Sequence, residues 1–256
     1  MEERKTKGIG YIAGNWPLDP QKSTIVFIHG AGGSSSFWQG QVAVLAARVN
    51  TVAVDLPGHG RSDGPGCDDI RDYTRAVADF LTGIAAPPVI LCGFSMGGAV
   101  ALQLMTDCPE RVKAGILSNT GAALKVAPLI FETIDNDYSG FVDMICKFAA
   151  SKKTDPELMK PFRQDLAGCQ PKITRGDFQA CNQFDLTDRL PTIDIPILVV
   201  TASEDKLTPS AYGDLLVKRV RNASLVHIQD AGHIAPLEKP DEINAAIEKF
   251  IEKEGF

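Results

Sequence analysis

The chain has 256 residues, enough for one sizeable domain or a domain carrying an insertion, and enough to bury an ample core. Its 44% hydrophobic and 23% charged residues are those of an ordinary globular protein, and no apolar stretch reaches the roughly 18 residues of a membrane span. A formal net charge of -6 leaves no basic footprint for nucleic acid or an anionic membrane, and the opening Met1-Glu2-Glu3-Arg4-Lys5-Thr6-Lys7 has no apolar segment of a secretory signal behind it, so a cytoplasmic protein is expected.

A hairpin-like segment from Gly8 to Trp16, then a turn from Pro17 to Pro20, precedes the first clear strand, Thr24 to Ile28. That strand runs straight into His29-Gly30-Ala31-Gly32-Gly33-Ser34-Ser35. Gly30-x-Gly32 after a strand, with Asp55 closing the next strand (Thr51 to Val54), imitates the start of a dinucleotide-binding fingerprint, but the third glycine position holds Ser35. His29, at a strand end beside glycines, is expected to hydrogen-bond its own loop. A helix follows from Phe37 and Trp38 through Leu45. Asp55-Leu56-Pro57-Gly58-His59-Gly60-Arg61-Ser62-Asp63 is then rich in turn formers, with Asp55 placed to accept loop amides and His59 a second candidate for acid–base work.

From Ile70 to Ile84 the residues Tyr73, Val77, Phe80, Leu81 and Ile84 fall at helical spacing, and Pro87-Pro88 stops the chain before the next strand. An apolar run, Val89 to Gly93, then suits a buried parallel strand, while Ala99 to Met105 is helix-forming. Only Phe94-Ser95-Met96 is left to reverse the chain. So tight a turn forces Ser95 into a strained backbone conformation, and Gly93 and Gly97 remove the Cβ atoms that would collide. The serine hydroxyl is held at the tip, with amides at the start of a helix aimed at any negative charge formed beside it, as a nucleophile in acyl transfer requires.

Gly93-Phe94-Ser95-Met96-Gly97 resembles the G-x-S-x-G nucleophile elbow of the α/β-hydrolase fold, and Asp55 to Ser62 resembles that family's D-x-P-G-x-G-x-S turn. The resemblance turns the His29-Gly30 pair into an oxyanion loop, and so implies that the amides of Ala31 and Met96 bind the oxyanion, with Gly30, Gly32 and Phe94 beside the substrate. His29 itself stays structural.

Val112 to Leu117 reads as the next short strand, so strands and helices alternate as in an open parallel sheet of the α/β class. The rhythm breaks between Gly121 and Leu190, too long a stretch for a simple crossover. Helical runs are expected at Leu124 to Ile134, Tyr138 to Ala150, Pro156 to Leu166 and Arg175 to Phe184, and six of the chain's 12 phenylalanines lie there (Phe131, Phe141, Phe148, Phe162, Phe178, Phe184). Any one phenylalanine at helical spacing is more often core than substrate contact. The resemblance implies that residues 122–190 form a helical cap over a core of 1–121 and 191–256, its underside apolar.

The sheet is expected to resume at Ile195 to Val200, with Thr208 as N-cap and Pro209 as first residue of a helix over Ala211 to Val220. Glu204 and Asp205 share the loop between them, and the resemblance places the triad acid on Asp205. The family's other location for that acid, after the preceding strand, holds Asn119, which carries no charge. After the strand Ala223 to Ile228, in which His227 reads as a satisfied strand residue, comes Gly232-His233-x-x-Pro236-x-Glu238-x-Pro240, which resembles the family's catalytic histidine loop. Ser95, Asp205 and His233 thus occur in the chain order of this fold. A last helix with Ile243, Ala246, Ile247, Phe250 and Ile251 on one face closes the domain.

The expected fold is therefore α/β, a mostly parallel central sheet with helices on both faces and an inserted helical cap. The six cysteines show no metal-ligand spacing and are expected to be reduced, mostly buried thiols; neither a metal nor an organic cofactor is called for. A serine hydrolase of small to medium carboxylic esters or lactones is the first functional reading, acting as a monomer or homodimer on a small-molecule ester. A C–C bond hydrolase or cofactor-free perhydrolase with the same triad is the second, and a non-enzymatic ligand-binding member of the fold the third. With no exposed apolar surface evident, long-chain triglycerides are expected to be poor substrates.

Overall fold

Eight strands carry the fold: β1 (Glu2–Thr6), β2 (Ile9–Ala13), β3 (Thr24–Ile28), β4 (Asn50–Val54), β5 (Val89–Phe94), β6 (Val112–Ser118), β7 (Ile197–Ala202) and β8 (Ala223–Ile228). In the computed structural model, which describes residues 1 to 256, they form one sheet in the order β1-β2-β4-β3-β5-β6-β7-β8. The pairings from β4 to β8 are parallel, while β1 and β2 run antiparallel at one edge. β2 through β5 are buried on both faces, which is why they read as continuous apolar runs. β1 escaped the sequence reading because it is exposed almost throughout and carries charge instead of an apolar pattern. Lys5 pairs with Asp63, and Glu3 with Arg61, so this edge strand is tied to the loop after β4.

The helices are α1 (Gln39–Leu45), α2 (Ile70–Gly83), α3 (Met96–Asp107), then α4 (Pro128–Asn136), α5 (Tyr138–Ala149), α6 (Met159–Gly168) and α7 (Pro171–Gln183) between β6 and β7, and finally α8 (Ala211–Arg219), α9 (Ala235–Glu238) and α10 (Pro240–Glu254); those outside the β6–β7 stretch cover both faces of the sheet, while α4 to α7 pack chiefly on one another. No helix is long and apolar enough to cross a membrane. α2 buries Tyr73, Val77, Phe80 and Leu81 on the sheet, and the Asp69 carboxylate accepts the Arg71 amide at its start, a cap worth about 1 kcal/mol. All six cysteines are unpaired; Cys92, Cys146 and Cys181 are buried and the other three half-buried.

Several expected boundaries move, and proline explains most of them. α4 begins at Pro128 rather than Leu124, and α7 at Pro171 rather than Arg175, because the residue before a proline resists helical geometry while proline itself suits the first turn. Ala127 and Gln170 are accordingly extended, with ψ of 138° and 134°. β7 starts at Ile197, two residues late, since Pro196 has no N–H for the ladder. The Pro156 stretch makes a single 3-10 turn before α6 takes over at Met159.

Candidate active site

Three loops at the carboxyl ends of β5, β7 and β8 bring the expected residues together. Ser95 sits between β5 and α3 with φ 52° and ψ -118°, a conformation forced by the reversal. The flanking glycines are needed because a Cβ on Gly93 would lie 2.3 Å from the Gly97 carbonyl oxygen, and one on Gly97 would lie 2.3 Å from that of Ile28. Backbone atoms cannot yield as a side chain would. The Ser95 carbonyl accepts the Thr120 hydroxyl at 2.7 Å, and its amide donates to Ser118 at 3.1 Å, which pins the turn.

His233 Nε2 lies 3.0 Å from Ser95 Oγ, and His233 Nδ1 lies 2.9 and 3.1 Å from the two Asp205 oxygens. A carboxylate only accepts, so Nδ1 carries the hydrogen and Nε2 turns its lone pair to the serine hydroxyl. His233 and Asp205 are buried, at 4% and 6% exposure, while Ser95 is half-buried. Asp205 is heavily solvated by protein groups. Its Oδ1 accepts the amides of Leu207 (2.9 Å) and Thr208 (2.8 Å), and its Oδ2 accepts the Thr208 hydroxyl (2.8 Å) and Asn119 Nδ2 (3.0 Å). Burial opposes its charge, but the facing His233 ring and these hydrogen bonds outweigh that and hold the carboxyl at about 2.

Two sequence expectations need correction here. Thr208 does not cap α8, whose N-cap is Ser210 with no side-chain hydrogen bond; Thr208 serves the Asp205 carboxylate instead. Asn119, dismissed for lacking charge, donates to that same carboxylate from a left-handed backbone position, φ 49°. The Thr208 signal is local, but a Ser/Thr before proline reads equally as a helix cap or as a loop donor; Asn119 reaches Asp205 from 86 residues away, which no local pattern reports.

The His233 loop is anchored from outside. The His233 amide donates to Ala149 at the end of α5 (2.7 Å), the Gly232 amide to Glu238 Oε2 (2.7 Å), and Glu238 Oε1 accepts the Ser151 amide (2.9 Å). Glu204, the rival acid, accepts the Lys152 amide at 3.0 Å and makes no hydrogen bond to the histidine.

The other histidines fall elsewhere. His29 Nε2 accepts the Leu56 amide (3.0 Å), so its Nδ1–H donates to Gly30 O (2.8 Å). Full burial, with the nearby charge of His59, pushes its pKa down to about 4. His227 lies exposed on edge strand β8 and meets the Thr201 hydroxyl. Asp55 accepts the amides of Ser35 and Arg61, as its turn implied.

Beside Ser95 opens a cavity of about 370 Å³, 15 of whose 20 lining residues are hydrophobic. Ala31, Phe94, Ser95 and His233 form its floor, and Phe148, Phe162 and Phe178 come from α5, α6 and α7. Phe141 and Phe184 are packed in the core, and Phe131 lies under the Arg175 guanidinium, so half of these six phenylalanines face the cavity. Gly30 and Gly32, expected beside the substrate, do not line it. A Cβ on Gly30 would stand 3.0 Å from the Phe94 ring and 3.2 Å from Ser95 Cβ, and one on Gly32 would strike Leu166 at 2.4 Å, so both serve close packing of the loop. The mouth is apolar too, since Leu129 and Phe148 line it while 58% and 45% exposed. The amides of Ala31 and Met96 donate to no group of the chain, and both residues border Ser95 in loop and sequence.

Known proteins share this arrangement of chain. The 3-oxoadipate enol-lactonase 2 of Acinetobacter baylyi is 26% identical over 240 residues, covering 91% of this chain and 90% of that protein. The pimeloyl-acyl-carrier-protein methyl ester esterase of Nitrosomonas europaea is 28% identical over 234 residues, with 85% and 91% covered. The solved structure of a thermophilic esterase superposes with a TM-score of 0.85 at 29% identity, over 98% of this chain and 97% of that one. A model of the alpha/beta hydrolase family matches residues 25–246, a span that takes in β3 with its glycine loop, the serine turn, the Asp205 loop and the His233 loop at once, and the chain therefore belongs to that family.

Proposed function

We propose that this chain hydrolyses carboxylic esters or lactones through an acyl-serine intermediate, with Ser95 as nucleophile, His233 as general base and acid, and Asp205 holding the imidazole. The observation that carries this reading is the run Ser95 Oγ, His233 Nε2, His233 Nδ1, Asp205 Oδ2, at 3.0 and 2.9 Å, opening on an apolar cavity. The similar proteins named an enol-lactonase and a methyl ester esterase support the choice of bond.

The chemistry follows from the hydrogen positions. Ser95 Oγ attacks the ester carbonyl carbon as its proton passes to His233 Nε2, and the charge arriving on the carbonyl oxygen is met by the Ala31 and Met96 amides and the start of α3. Collapse breaks the bond to the alcohol, which leaves with the proton from Nε2. Water then gives a proton to Nε2 and its oxygen to the acyl carbon; the second collapse returns the proton to Ser95 and frees the acid. Asp205 stays ionised throughout, stabilising the imidazolium across a buried hydrogen bond. We read residues 122–190 as a cap on a core of 1–121 and 191–256. Phe148, Phe162 and Phe178 on its underside and the hold of Ala149 on the His233 loop support that role.

A serine-directed phosphonate or sulfonyl fluoride is expected to modify the folded protein once, at Ser95, because only a serine paired with a base is reactive near neutral pH. Peptide mass spectrometry that finds the adduct on another residue, or none, removes the nucleophile from this scheme.

A further inference from the structure

A second buried polar cluster meets the glycine loop at Gly32, and the mechanism above does not use it. At its centre is Asp177 on α7, fully buried at 0% exposure. Asp177 Oδ2 accepts the Gly32 amide at 2.8 Å and His59 Nε2 at 2.8 Å, and Oδ1 accepts the Tyr73 hydroxyl. The Tyr73 oxygen in turn accepts the Cys67 amide at 3.0 Å, which commits its own proton to Asp177. Three donors, 104 to 145 residues away in the chain, meet on one carboxylate.

The His59 ring is charged on geometric grounds. Its Nδ1 faces Pro57 O at 3.1 Å and its Nε2 faces the carboxylate, and both partners only accept, so the ring donates from both nitrogens. Burial alone would lower its pKa, but Asp177 outweighs burial and raises it well above the ordinary imidazole value. Burying an ion pair costs several kcal/mol per charge before the partners compensate, and an apolar pair of similar volume would hold α7 on the core as well or better. A charge kept in such a place calls for a use that an apolar pair lacks.

That use is visible at Gly32. The Gly33 amide donates to Gly30 O at 3.1 Å, closing a four-residue turn whose central residues are Ala31 and Gly32. Gly32 has φ +64° while Ala31 is not in the left-handed region, which makes the turn type II. Such a turn keeps its closing hydrogen bond if the central peptide flips over, so that bond alone does not fix the loop. The N–H of the central peptide, that of Gly32, is the group that Asp177 holds; the Ala31 N–H belongs to the peptide before it, so the grip fixes the backbone on the C-terminal side of Ala31. From α6, Asp165 holds the next residues through the Ser34 and Ser36 hydroxyls, but at a half-buried site.

We propose that Asp177, carried by the helical insert, is a positioning residue for ester hydrolysis: it locks the Gly30 to Gly33 turn so that the Ala31 amide faces the oxyanion, and so couples a seated insert to a working site. The proposal rests on the reading of Ser95 and the Ala31 amide given above. Its scale is bounded by the loss of a whole oxyanion donor, about 10² to 10³ in kcat; loosening one donor is expected to cost about ten- to a hundredfold.

The test compares Asp177→Asn with Tyr73→Phe. The first removes the charge that grips Gly32; the second removes a hydrogen bond from the same carboxylate but leaves that grip in place. Asp177→Asn is expected to lose about ten- to a hundredfold in kcat on a nitrophenyl ester with KM within about threefold, and to bind an alkyl boronic acid, whose adduct on Ser95 is a tetrahedral anion, more weakly by the same factor. Tyr73→Phe is expected to lose thermal stability and keep kcat within about threefold. If the two variants lose kcat alike, in step with their Tm, the cluster is structural only and the proposal is overturned. Should Asp177→Asn fail to fold, His59→Gln carries the test, since it keeps a donor to Oδ2 and removes the counter-charge: kcat and boronate affinity are expected to fall together, and full retention of both overturns the proposal. Wild-type turnover that depends on Ser95 but is unchanged in Asp177→Asn overturns this proposal alone. A wild type with neither turnover nor boronate binding overturns the hydrolase reading and this proposal with it.

Discussion

Replacing Asp205 by asparagine tests the acid of the proposed triad, and the structure says what the amide would meet. If the Asn oxygen takes the Oδ1 place, facing the Leu207 and Thr208 amides, its NH2 stands where Oδ2 stood, against donors from Asn119 and from His233 Nδ1. The Thr208 hydroxyl can turn round; Asn119 and His233 cannot both be served. The histidine gains a partner only by moving its hydrogen to Nε2, which then faces Ser95 as a donor and no longer as a base. The fold should survive. The carboxyl, held at about 2 against an ordinary 3.8, contributes about 2 kcal/mol to stability, present above pH 3.8 and lost as pH falls toward 2. Its loss should lower Tm by roughly 4 to 8 °C for a domain of this size. Turnover should fall by about 10⁴, the cost of the same change in serine-protease triads. Glu204→Gln, which touches only the Lys152 amide, should keep kcat within about threefold. The assay is initial rate on a nitrophenyl ester beside a thermal melt of each variant. An Asp205→Asn protein with more than a tenth of wild-type kcat, or a Glu204→Gln protein that takes the large loss instead, refutes the assignment.

Other expectations follow from the cavity and from His29. With a roofed apolar space of about 370 Å³, each added acyl methylene should raise kcat/KM about fourfold, from about 0.8 kcal/mol of burial, over the first few carbons and then cease to help; kcat/KM still climbing at long acyl chains would mean an open groove running out past Leu129 and Phe148. His29, lowered from 6.5 to about 4, favours the neutral folded state, so its contribution is full above pH 6.5 and is lost as pH falls toward 4, about 2 to 3 kcal/mol by pH 4.5. His29→Gln keeps an acceptor for Leu56 and a donor for Gly30 without titrating, so its urea midpoint should depend less on pH over that window; parallel curves for wild type and variant would contradict the assigned cause.

What could be read from the sequence alone was what the chain specifies over short distances. The serine turn needs a strand, a helix and two glycines within five residues of each other, and each of those signals is local; the collision of a Gly97 Cβ with the Ile28 carbonyl only gives the reason in three dimensions. The His233 loop was legible for the same reason, with Glu238 six residues on from the Gly232 amide it receives. Boundaries set by a single proline were misjudged wherever the apolar pattern ran through it, as at Pro128 and Pro196, because periodicity reports which face is buried and not where hydrogen bonding can begin. The phenylalanines of the insert show the limit of composition. Phe178 faces the cavity and Phe141, its edge-to-face neighbour at 5.6 Å, is core, yet nothing in their residue type distinguishes them.

Asp177 marks where such reading ends. In the sequence it is one aspartate in an amphipathic helix, the residue type least expected inside a protein. Its three partners lie 145, 118 and 104 residues away, at Gly32, His59 and Tyr73. No window on the chain contains two of the four segments together with the helix that joins them. His59 gives the one hint, a histidine in a glycine-rich turn that the sequence leaves as a second candidate for acid–base work beside His233. The structure gives it a different employment, as the buried counter-charge that lets a carboxylate from the insert reach the amide beside Ala31. Loops that carry function are set by a scaffold, and here part of that scaffold arrives from an insertion more than a hundred residues downstream. A changed insert sequence would therefore alter not only which acyl group fits the cavity but how well the oxyanion is held.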